Sequence, residues 1–165
     1  MKAKKTRVVF LDFDGVIATN TSYKNARLSV CGVGVETQDL LVPELVANVN
    51  ELCEKAEAKI VISSTWRRLY PLDRLRDYLK VAGLKVEVIG ITPDLLEEVK
   101  SSSRGLEIKT WAAAHGISRE DLVVLEDEED VRPYRGRQVK TCFGGPRQGF
   151  TKRHLRRALR LWGLE

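Results

Sequence analysis

Short runs of consecutive apolar residues recur along this chain: Val8-Val9-Phe10-Leu11, Ile60-Val61-Ile62 and Leu122-Val123-Val124-Leu125. They lack the alternation of a strand with one wet face, so each reads as a strand buried on both faces. Residues 86–89 and 139–143 read as two further strands. Between the strands, apolar residues keep helical spacing. Pro43 can open a helix at its first position, and Leu45, Val49, Leu52 and Ala56 then share a face. Leu72, Leu75, Leu79 and Ala82 mark a second helix, with Gly83 as its stop. Residues 104–114 form a third, ended near Gly116, and Thr151 caps a last helix reaching about Trp162. Residues 18–42, with Asn, Ser, Thr and Gly spread through them, read as irregular. Alternating strands and helices imply a parallel sheet of about five strands with helices on both faces, an α/β three-layer sandwich. A length of 165 residues suits one domain, 1–165.

Hydrophobic residues make up 43% and charged residues 31%, the balance of an ordinary soluble domain. No apolar run approaches the roughly 20 residues that span a membrane. The first one holds Asp12, which a signal peptide would not, so a cytoplasmic protein is expected. Cys31, Cys53 and Cys142 are odd in number and far apart, without zinc-like or redox-like spacing, so free and mostly buried thiols are expected. The net charge of +5 favours anionic ligands only weakly. Its distribution says more. Glu126, Asp127, Glu128, Glu129 and Asp130 are contiguous, and from Arg132 to Leu164 there is no acid while arginines accumulate. An acidic knot beside a basic tail suggests a metal site next to an anion-attracting surface.

In open parallel sheets, ligands bind beyond the carboxyl ends of the strands. Chemistry-bearing residues stand at those ends here. Asp12 and Asp14 flank Phe13 and precede Gly15, which lets the chain turn away. Two like charges facing one pocket are costly without a cation, and Mg²⁺ removes that cost while holding phosphate oxygens. The bland alternative is a strand-end turn with two solvated aspartates. Ser63 and Ser64 follow the second strand, where a hydroxyl and a backbone amide can hold a phosphoryl oxygen. Trp66 could stack on a base and Arg67 could fork onto a phosphate, or the two could be an amphipathic surface pair. Arg104 begins a helix, a place where the helix dipole does not favour a cation, so either an anion is nearby or the arginine is simply solvated. Glu126 and Asp127 could complete a metal shell with Asp12, and Asp130 could orient it. Glu128 and Glu129 read as a solvated loop.

In this order, these segments resemble the haloacid dehalogenase (HAD) superfamily of phosphohydrolases over nearly the whole chain. Phe10-Leu11-Asp12-Phe13-Asp14-Gly15-Val16 looks like the first family motif, and Ile60-Val61-Ile62-Ser63-Ser64 like the second. Arg104 best fits the third, with Lys100 and Lys109 as rivals, and Val123-Val124-Leu125-Glu126-Asp127 looks like the fourth. Ser63-Ser64-Thr65-Trp66-Arg67 and the Arg104 segment are most similar to the small HAD domains of Swiss-army-knife RNA-repair proteins. The resemblance implies a Rossmann-like fold and a Mg²⁺-dependent phosphatase. Asp12 would be the nucleophile that forms an aspartyl-phosphate. Asp14 would be the acid and base, with its backbone carbonyl on the metal. Ser63 and Arg104 would bind the phosphoryl oxygens. Asp127 would ligate the metal, with Glu126 acting through water. Residues 18–42 are too few for a large cap, so a small or absent cap is expected.

In the last helix Leu155, Ala158, Leu159 and Trp162 share one face, and Arg153, Arg156, Arg157 and Arg160 another. The basic face is either simply solvated or a track for a phosphate backbone. With the RNA-repair resemblance, a terminal phosphate of a nucleotide or polynucleotide leads as substrate, acted on by a monomer. A small-metabolite phosphatase and a non-catalytic nucleic-acid-binding module are the alternatives. No P-loop is present, so the chain carries no kinase half of that type.

Overall fold

The computed structural model describes residues 5–28, 37–97, 104–128 and 131–165. Its five strands are β1 (Arg7–Leu11), β2 (Ala58–Ile62), β3 (Val88–Ile91), β4 (Leu122–Glu126) and β5 (Gln138–Lys140). They form one sheet in the order β3-β2-β1-β4-β5, every neighbouring pair parallel. The chain moves outward from β1 through β2 to β3, then returns to add β4 and β5 on the other side. The strand order therefore reverses at β1, where a crevice opens in doubly wound sheets.

The helices are α1 (Asn20–Leu28), α2 (Pro43–Ala56), α3 (Leu72–Val81), α4 (Arg104–Ala114) and α5 (Lys152–Leu161). Strand alternation divides the core into two layers. Val9, Leu11, Ile60, Ile62, Val123 and Leu125 join the side covered by α2, α3 and α5. Val8, Phe10, Val61, Leu122 and Val124 join the side covered by Ile108, Trp111 and Ala112 of α4. Phe10 meets Trp111 edge to face, with ring centroids 5.6 Å apart. Each fully buried Val, Leu, Ile or Phe among them contributes about 1.5–3 kcal/mol. The expected α/β sandwich with helices on both faces is the fold observed.

Residues 18–42 are not irregular throughout. Nine of them form α1, and Thr37–Leu40 make a single tight helical turn. The sequence hides α1 because it has no apolar stripe. Its first turn is instead fixed from outside. Asn20 N–H donates to the Phe143 carbonyl at 2.9 Å and Thr21 N–H to Gln148 Oε1 at 3.1 Å. Ser22 N–H donates to Thr19 Oγ1 at 3.3 Å. β3 begins two residues later than its apolar run suggests and includes Gly90, which packs under Trp111. β5 is shorter and earlier than expected. Of the cysteines, Cys53 is buried but Cys142 is exposed, and Cys31 lies outside the described residues. No helix among the described residues is long and apolar enough to cross a membrane.

Candidate active site

The pleat that sorts the core also assembles the site. Leu11 pairs with Ile62 on one side and Leu125 on the other, so Asp12, Ser63 and Glu126 fall in one row across three strands. They follow Phe10, Val61 and Val124, and therefore face the α4 side. The ladders carry on into the row: Asp12 N–H donates to the Leu125 carbonyl at 3.1 Å and Ser63 N–H to the Leu11 carbonyl at 2.9 Å. Thr92 extends it by one strand, donating its N–H to the Ile62 carbonyl at 2.9 Å. The Ser63 and Thr92 hydroxyls are buried and make no hydrogen bond among the described residues. Burying an unmade hydrogen bond costs about 1–3 kcal/mol. Two such hydroxyls in the row, Ser63 at the end of the strand next to Asp12 and Thr92 one strand further out, are a poor choice for stability and a good one for receiving oxygens of a ligand.

Arg104, the first residue of α4, lies over this row with its Nε 3.1 Å from Glu126 Oε2, both side chains at most 8% exposed. A Cβ on the next residue, Gly105, would stand 1.7 Å from the Arg132 carbonyl oxygen, so glycine lets the first turn of α4 sit against that backbone. Lys109, the rival cation, is exposed further along α4, and Lys100 lies outside the described residues. Glu126 Oε1 accepts the N–H groups of Asp127 at 3.1 Å and Glu128 at 3.3 Å, which folds the acidic loop back on the strand end. Glu128 itself is exposed, and Glu129 and Asp130 lie outside the described residues.

Burial raises the Asp12 carboxyl from its ordinary 3.8 to about 6, against the pull of the Arg104 charge and of hydrogen bonds that include one with Ser64. Burial, and then the Asp12 charge, push Glu126 up to about 10. Two carboxyls that resist ionising side by side are what a divalent cation would relieve. Asp12, Glu126 and Asp127 can each offer an oxygen within 4.8 Å of the others. That donor set fits a hard cation.

Asp14 is held apart from this cluster. Its Oδ1 accepts the Tyr23 hydroxyl at 2.7 Å, and its Oδ2 accepts the Trp66 indole N–H at 3.0 Å. The Asp14 side chain is thus not one of the three clustered carboxylates. Trp66 is 5% exposed and packs edge-on against Phe13 at 5.1 Å, so its ring is no open stacking surface. The expectation of base stacking at Trp66 gives way to a hydrogen bond. Arg67 is corrected in the same way. Its guanidinium is 3% exposed, 2.6 Å from Glu107 Oε2, and donates to the Ser64 carbonyl at 2.7 Å and the Ser63 carbonyl at 3.3 Å. The fork expected on a phosphate is turned onto the chain's own loop. Ser64 is fully buried and its Oγ accepts the Trp66 N–H at 3.3 Å.

A family model described as the HAD domain in Swiss Army Knife RNA repair proteins matches residues 8–155. The chain belongs to this family. No curated protein matches it. Membership in this family points to hydrolase chemistry of the phosphatase type, and HAD domains generally use Mg²⁺. In this HAD domain, Tyr23, Thr92 and Glu107 were missed as site residues. Tyr23 sits in the segment that gave no periodic signal. Glu107 could have been found as the residue one helical turn after Arg104, since i and i+3 share a face.

Proposed function

We propose that this HAD domain is a Mg²⁺-dependent phosphatase that works through an aspartyl-phosphate on Asp12 and acts on a terminal phosphate of a nucleotide or polynucleotide. The observation that carries it is the separation of two carboxylates two residues apart. Asp12 is buried among Ser63, Arg104 and Glu126, whereas Asp14 is half-buried between Tyr23 and Trp66. Two environments for two acids are how one site runs nucleophilic and acid–base work together.

Asp12, Glu126 and Asp127 would hold the metal, which supplies positive charge for the oxygens of the transferring phosphoryl group. The Arg104 guanidinium and the Ser63 hydroxyl bind the remaining phosphoryl oxygens. An Asp12 carboxylate oxygen attacks phosphorus and the bond to the leaving oxygen breaks. Asp14 gives its proton to that leaving oxygen. Asp14, now a carboxylate, takes a proton from water, whose oxygen attacks the same phosphorus. The acyl-phosphate bond breaks, releasing inorganic phosphate and restoring Asp12.

The RNA-repair setting of the family supports a nucleotide or polynucleotide substrate, as does α5, whose Arg153, Arg156, Arg157 and Arg160 are all exposed. The test is phosphate release with Mg²⁺ from p-nitrophenyl phosphate and from 3′-phosphorylated oligonucleotides, wild type against Asp12→Asn. Release that depends on Asp12 and is faster on the oligonucleotides is expected. Release that survives the substitution would overturn the mechanism, and equal rates on all esters would overturn the substrate.

A further inference from the structure

Two donors from distant parts of the chain converge on Asp14. Tyr23 comes from α1, nine residues after it, and Trp66 from the loop after β2, 52 residues after it. Each takes one oxygen, so together they fix both the position and the rotation of the carboxylate. Both are themselves braced. Trp66 is wedged between Phe13 and Tyr70, with centroids 5.1 Å and 6.4 Å away. The Tyr23 ring leans on Phe143 at 5.7 Å, and the Phe143 carbonyl accepts the first N–H of α1. Burial, followed by the hydrogen bond to Asp14, raises the Tyr23 hydroxyl above its ordinary range, so it stays a protonated donor.

We infer that Tyr23 and Trp66 are positioning residues that aim Asp14 at the leaving oxygen, an assignment that rests on the proposed phosphatase reaction. Neither touches the phosphoryl group. Each acts through Asp14, and only when the leaving oxygen needs a proton. An alkoxide leaves with difficulty unless protonated, whereas p-nitrophenolate departs unaided at neutral pH. Loss of aim therefore slows alkyl esters and spares p-nitrophenyl phosphate.

The experiment compares kcat/KM for glycerol phosphate and p-nitrophenyl phosphate in wild type, Tyr23→Phe and Trp66→Phe. This ratio reports events up to departure of the leaving group, before water attacks. Tyr23→Phe removes one oxygen and keeps the ring that packs on Phe143, so the variant is expected to fold, and its thermal melt checks this. Expected is a loss of about tenfold on glycerol phosphate, a fraction of what a general acid contributes, and less than about twofold on p-nitrophenyl phosphate. Trp66→Phe should show the same selective loss. An equal loss on both esters in Tyr23→Phe would mean a merely structural contact and overturn the inference while leaving the phosphatase standing. A wild type that hydrolyses neither these esters nor 3′-phosphorylated oligonucleotides in an Asp12-dependent way would remove the reaction, and the inference with it.

Discussion

A Cβ placed on Gly15 would stand 2.2 Å from Asp127 Oδ2, and Gly15 itself has φ +76. The turn that follows Asp12 and the Asp127 carboxylate just past β4 therefore share space that only hydrogen can occupy. Gly15→Ala should displace Asp127 and strain the backbone by about 1–2 kcal/mol. Isothermal titration with Mg²⁺ should show at least about a tenfold loss of affinity, the scale seen when the support of a metal ligand is disturbed. Unchanged affinity would remove Asp127 from the metal set.

Asp12 should be a burden to the metal-free fold. Because burial raises its carboxyl from 3.8 to about 6, stability present below 3.8 is lost as pH rises through about 6. Metal-free protein should thus melt lower at pH 7.5 than at pH 5, and the Tm gain on adding Mg²⁺ should grow over that window. Asp12→Asn should abolish phosphate release while raising the metal-free Tm at pH 7.5 by roughly 5 °C, about 2 kcal/mol. Differential scanning calorimetry at the two pH values separates these outcomes.

Ser63 offers the converse pattern. Its hydroxyl is buried without a hydrogen bond among the described residues, so Ser63→Ala should leave Tm unchanged or slightly raised. If the hydroxyl waits for a phosphoryl oxygen, kcat/KM should still fall by about 10–100-fold. A variant with normal kinetics would assign Ser63 to the fold alone.

The Arg67–Glu107 pair, 3% exposed at both ends, ties the loop after β2 to α4. Removing one partner leaves a buried charge alone. Glu107→Leu should therefore cost about 3–5 kcal/mol in urea unfolding, and Arg67→Met/Glu107→Leu should recover a large part of that loss. Additive losses in the double variant would show that the two side chains act separately.

The sheet was legible in the sequence because it depends on short-range pattern. Continuous apolar runs mark buried strands, so the polar residues that end them, Asp12, Ser63 and Glu126, could be expected along one edge of the sheet, where the structure brings them together. What escaped depends on contacts across the chain. α1 is written in the carbonyl of Phe143 and the side chain of Gln148, more than a hundred residues away, not in its own periodicity. Trp66 and Arg67 were expected to meet substrate, but residue type could not tell whether their donors face a ligand or the protein. Their burial decides that, and burial is a property of the assembled molecule.

The central place of β1 divides the site by rigidity. The Asp12 amide continues a ladder between two neighbouring strands, so its hydrogen should exchange with solvent only when the whole sheet opens. Asp14 lies beyond the ladder and its carboxylate is gripped by side chains, one of them on α1. Asp12 is thus anchored through the backbone ladder of the sheet, and the Asp14 carboxylate through two side chains that single substitutions can remove.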